Sequence, residues 1–135
     1  MNLKLITATA ALGILSACLS TAPQLGPDAS AWDNYLSWHK VTPEAETGDP
    51  TGYLGSVHDG AKAYRQIYVN TIGEAVNRGT QSLPYPEGTI LLKESFDNAK
   101  ALAERRNSDI TIMAKLAKGQ SPETGDWEYI LGANG

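Results

Sequence analysis

The sequence predicts an α+β domain, mainly an antiparallel sheet with short flanking helices, and three observations lead there. Runs rich in β-branched and aromatic residues recur between turn signals. The helix signals between them are short. Strands and helices do not alternate in the regular way a parallel βαβ fold requires. With 135 residues the chain has room for one core.

Taken in order, residues 18–29 carry Pro23, Pro27, Gly26, Ser20 and Thr21, a composition that cannot bury enough surface to order itself and suits a tether. The folded domain is expected over residues 30–135. Asp28 or Ser30 can cap a short helix in which Trp32, Tyr35, Leu36 and Trp38 partly follow a helical repeat. Residues 42–60 hold Pro43, Pro50, several glycines and the acids Glu44, Glu46 and Asp49, and read as a solvated loop whose spacing fits no EF-hand. Ala63 to Val69 alternates as a strand, with Arg65, Ile67 and Val69 on one face. Thr71 and Glu74 have capping-box spacing, so a helix over 71–78 is expected. Pro84-Tyr85-Pro86-Glu87-Gly88 is a turn leading into a strand from Thr89 to Ser95. Residues 97–106 favour helix by composition, with a long hairpin loop as the alternative. Ile110 to Leu116 and Trp127 to Leu131 are two further strands, separated by the polar run Gly119 to Asp126. Ile130 to Gly135 then reads as a strand entering an Asn-Gly turn with no returning partner, so the sheet is expected to lack its last strand or strands and the domain to be C-terminally incomplete.

Composition removes several function classes. A net charge of −4 gives no support to nucleic-acid binding. One cysteine excludes an internal disulfide framework and any zinc site needing two thiolates. There is no Gly-x-Ser-x-Gly, no His-Glu-x-x-His and no glycine-rich phosphate loop. The first seventeen residues are set aside as an export signal: Lys4 precedes an uncharged apolar run from Leu5 to Ala17, too short to cross a bilayer permanently. Leu15-Ser16-Ala17-Cys18 resembles the bacterial lipobox, which makes Cys18 the lipidation site; a buried free cysteine is the alternative. The expected product is exported and held by acyl chains to a bacterial membrane. Leu19 after the cysteine points to the outer membrane, facing the periplasm.

Four segments together resemble one family. They are His58 to Asn70 with Arg65-Gln66-Ile67-Tyr68, Tyr85 to Glu94, Ile110 to Lys115, and Gly125 to Tyr129. In order and spacing they are similar to the cytochrome P-460 family over about residues 30–135, with Tyr85 to Glu94 the most specific part. The resemblance implies an exported haem c protein with a largely antiparallel sheet, often homodimeric. It also implies binding or oxidation of small nitrogen compounds such as hydroxylamine and nitric oxide, or electron transfer to a redox partner. Lys93 matches the lysine joined covalently to the haem in the name-giving members. Arg65 and Tyr68 match an arginine and a tyrosine of the earlier strand, the arginine near the haem pocket. Met113 falls where hydroxylamine-oxidising members carry a glutamate, and a thioether cannot serve as a general base. The resemblance also implies haem attachment through Cys-x-x-Cys-His after the Asp-Trp strand, a motif these 135 residues do not contain, so the copy is expected to be truncated and inactive.

Each residue also has a plain reading. Lys93 and Arg65 can be surface side chains covering apolar neighbours, and Met113 can be core filling. Trp32, Trp38 and Trp127 suit core or dimer contacts. His39 and His58 suit surface or capping roles, and neither is offered as an axial ligand. The second reading of the whole chain is a cofactor-free periplasmic binding or assembly module.

Overall fold

The computed structural model describes residues 26–42 and 63–131. The export signal, Cys18 and most of the tether lie outside these, as do residues 43–62 with His58 and the acidic run, and residues 132–135 with the Asn-Gly turn.

Five strands form one antiparallel sheet in sequence order: β1 (His39–Lys40), β2 (Tyr64–Val69), β3 (Ile90–Phe96), β4 (Asp109–Lys115) and β5 (Trp127–Leu131). Two short helices, α1 (Glu74–Asn77) and α2 (Ala99–Glu104), sit in the β2–β3 and β3–β4 connections. The mostly-sheet α+β expectation matches this architecture. β1 was not foreseen, because two residues carry no alternation to read.

Side chains of a strand alternate between faces, and the register sorts them. Tyr68, Leu92 and Ile112 line up across β2, β3 and β4, and with Ile90 they form the buried core of one face. Ala31, Trp32, Tyr35, Trp38, Ile110 and Ile130 pack against it. The aromatic residues of the N-terminal segment come from two 3-10 turns, Ala29–Trp32 and Tyr35–Ser37, rather than the expected helix. Three residues per turn suits the spacing 32, 35, 38 and leaves Leu36 pointing to solvent. The Asp28 side chain caps the first turn, accepting the Ser30 N–H at 3.0 Å.

The expected capping box at Thr71 does not form. α1 begins at Glu74 after Gly73, with no side-chain cap, and Glu74 instead pairs with Arg78 one turn on at 2.6 Å. Asn70 takes over the turn: its Oδ1 accepts the Gly73 N–H at 3.3 Å, and its Nδ2 donates to the Gly88 carbonyl at 2.9 Å. Gly73 is there because nothing larger fits. A Cβ at that position would lie 2.3 Å from Thr89 Cγ2 and 2.8 Å from Val69 Cγ2, and both residues are fully buried. Gly73→Ala is therefore expected to cost about 1–3 kcal/mol by overpacking, seen as a lower urea midpoint with unchanged slope.

The turn before β3 works as the Pro-Glu-Gly signal suggests. Gly88 takes φ +82°, a conformation side chains resist. Its N–H donates to the Lys115 carbonyl at 2.9 Å, and the Lys115 N–H returns to Thr89 O at 2.8 Å, fixing the start of β3 against the end of β4. The 97–106 stretch resolves as helix: the Asn98 side chain caps α2 by accepting the Ala101 N–H at 2.9 Å.

Candidate functional site

The face opposite the core carries Arg65, Ile67 and Val69 on β2, Leu91 and Lys93 on β3, Thr111 and Met113 on β4, and Tyr129 and Leu131 on β5. Register sets two rows across it, Ile67–Lys93–Thr111–Leu131 and Val69–Leu91–Met113–Tyr129. Between them lies a recess of about 360 Å³, walled by Ile67, Leu91, Thr111, Met113 and Tyr129, with Lys93 as its only charged lining group among the described residues. A second hollow, at the end of the sheet by Pro84 and Lys118, is mixed in polarity, and two of its charged groups, Lys115 and Asp126, are engaged. There the Lys115 ammonium donates to the Gly125 carbonyl and lies 5.4 Å from the Trp127 ring centre, while Asp126 accepts the Gly119 and Ser121 N–H groups.

Lys93 is half-buried. Among the described residues its ammonium has neither a hydrogen-bond acceptor nor an ion-pair partner. Burial lowers its pKa from the usual lysine value, and the Arg65 guanidinium adds to the shift. Arg65 is 4% exposed and donates from Nη1 to the Ala63 carbonyl at 3.3 Å. Met113 sits between Leu91 and Tyr129 with its thioether on the recess wall.

Three of the four residues singled out from the sequence thus share one face. Tyr68, which the family resemblance matches to a tyrosine of the same strand, lies on the other face, because residues three apart on a strand point to opposite sides. Its ring is buried in the core, edge-on to Tyr35 at 5.4 Å between centroids.

Tyr68 instead belongs to a polar cluster that sequence reasoning missed. Glu94, next to Lys93 but facing the core, is 2% exposed. Its carboxylate accepts the Tyr35 hydroxyl at 2.8 Å and a hydrogen bond from Arg105 Nη2. Arg105 Nη1 also donates to the Tyr68 hydroxyl at 3.2 Å. Burial, helped by Glu94, pushes the Tyr35 hydroxyl up to about 12, and burial likewise raises Tyr68. For Arg105, burial works against the charge, but the bonds to Tyr68 and Glu94 outweigh it and raise its pKa. The cluster ties the N-terminal segment and the end of α2 to the central strand. No local sequence signal marks it, since Tyr35 and Glu94 are 59 residues apart.

A planar, largely apolar group suits the recess: mainly apolar side chains line the walls, the sheet supplies a broad face, and among the described residues the half-buried amine has no hydrogen-bond or ion-pair partner. Lys93 would reach the edge of such a group, with Leu91, Met113 and Tyr129 against its surface. His39, the histidine among the described residues, pairs with Val69 in β1 and does not line the recess. Among the described residues there is no cluster of three or more His, Cys, Asp or Glu able to hold a metal ion.

A meander with one packed face and one apolar, amine-bearing face defines a small antiparallel-sheet domain. The family model for Cytochrome P460 matches residues 32–131, from Trp32, the first tryptophan, to the end of β5. The chain belongs to the cytochrome P460 family, and that membership implies haem binding. No curated protein matches it.

Proposed function

We propose that the recess face receives a haem and that the protein binds small nitrogen compounds or gases, or passes electrons, rather than oxidising hydroxylamine. One observation carries this reading: the Lys93 amine stands half-buried in hydrocarbon on the face that Arg65 and Met113 share. Haem supplies an iron centre for ligand binding and one-electron chemistry. The chain's own residues supply the rest. Leu91, Met113 and Tyr129 exclude water from the face, and Lys93 Nζ is the covalent anchor these residues offer, since Cys18 is the only cysteine. Met113 holds no proton at neutral pH, so the wall favours ligand binding over proton-coupled oxidation.

Haemin titrated into the purified protein is expected to give a saturable one-to-one Soret shift. Met113→Trp, which fills the recess, should abolish it. A shift that survives this substitution with the fold intact would place the haem elsewhere.

The lipobox-like junction supports a lipid anchor at Cys18 facing the periplasm. Wild-type protein is then expected in the membrane fraction and Cys18→Ser in the soluble one; equal membrane retention counts against lipidation.

A further inference from the structure

We propose that Lys93 is a nucleophilic amine and that its recess captures apolar aldehydes and ketones as imines, an activity independent of the haem reading. Two arrangements make a lysine nucleophilic near neutral pH, desolvation by apolar neighbours and a second cation close by, and Lys93 has both. Ile67, Leu91, Met113 and Tyr129 surround it, and Arg65 stands diagonally across β2 and β3 on the same face. Its lowered pKa accords with that placement, because more of the amine carries a free lone pair.

Among the described residues, the other charged groups on this face do not cancel the effect. Asp109 pairs with Ser95, one step toward the sheet end, and does not contribute to the shift of Lys93, whose causes are burial and Arg65. Lys115 lies beyond Met113 and is held by Gly125 and Trp127. The recess, at about 360 Å³, has room for a short hydrocarbon body beside the amine. Among the described residues the other lysines lack such a setting: the Lys100 side chain is 77% exposed, and Lys40 and Lys118 are exposed.

The reaction balances without an oxidant. The Nζ lone pair adds to the carbonyl carbon, and the carbonyl oxygen takes up a proton to give a carbinolamine. The C–O bond then breaks, the oxygen leaves as water with the protons shed by nitrogen, and a C=N bond forms.

The full chain is incubated at pH 7.5 with hexanal, with cyanoborohydride as hydride donor to trap any imine, and the adducts are mapped by peptide mass. Labelling at Lys93 is expected to exceed that at Lys100 or Lys40 by about tenfold. Lys93→Met removes that adduct while the circular dichroism stays unchanged. Met113→Glu places a carboxylate on the recess wall, favours the ammonium, and cuts the labelling several-fold. Labelling spread over the lysines according to exposure, or indifference to Met113→Glu in a folded variant, overturns the proposal. Haemin uptake is read on a separate sample: selective labelling without uptake removes the haem reading alone, and uptake with unselective labelling removes this one.

Discussion

Replacing Arg105 with alanine is expected to destabilise the domain by about 3–5 kcal/mol, the range for removing one partner of a buried charge pair. The asymmetry of the pair is the reason. Glu94 is the deeply buried member, with a side chain 3% exposed against 37% for Arg105. Without the guanidinium, the carboxylate keeps only the Tyr35 hydroxyl, and the Tyr68 hydroxyl loses its donor. The truncation also strips the stem from beside the Phe96 ring, whose centre lies 5.9 Å from the guanidinium carbon. Glu94→Gln should cost less, about 1–2 kcal/mol, because Arg105 can turn toward water while the amide still accepts from Tyr35. Urea unfolding at pH 7 checks the order. If Arg105→Ala costs under 1 kcal/mol, or less than Glu94→Gln, the cluster is not a clamp.

Lys93→Met is expected to separate anchoring from packing. Methionine keeps the apolar contacts of the lysine stem and removes the unpaired charge, so the haem-free domain should be as stable as wild type or slightly more so. Covalent retention is the large effect. After haem loading with added peroxide, the two-electron oxidant that replacing an N–H and a C–H by an N–C bond requires, and then denaturation, wild type is expected to keep its haem on the chain, and Lys93→Met to release all of it. With Cys18 the single cysteine, these residues offer no pair of thioethers to mask that loss. Haem that stays bound covalently in the variant would reject Lys93 as the anchor.

Much of the sheet could be read directly. The Ala63–Val69 alternation, the Pro-Glu-Gly turn and the Trp127–Leu131 run each stand within a residue or two of the observed strands. Those signals are local: turn chemistry and a period of two suffice. Short helices were legible as positions but not as mechanisms, because Thr71 was the obvious cap and tertiary contact at Gly73 chose Asn70 instead. Within the site, Lys93, Arg65 and Met113 came from a family resemblance and proved to be cofacial, whereas Tyr68 came the same way and did not. Alternation along β2 already contained the means to tell them apart. Leu91, Thr111 and Tyr129 become visible only once register is known, and no single strand encodes register. The Glu94 clamp is the least legible feature, since partners drawn from the N-terminal turns, β2 and the end of α2 meet only in the folded chain.

Lys93 and Glu94 are consecutive, yet one serves the open recess and the other locks the interior. A one-residue insertion or deletion within β3 that shifted its pairing would exchange them, driving an ammonium into the hydrocarbon interior and exposing the carboxylate on the ligand side. Length variation along this lineage should accordingly collect in the loops around β3, while the strand itself admits substitutions but no slips.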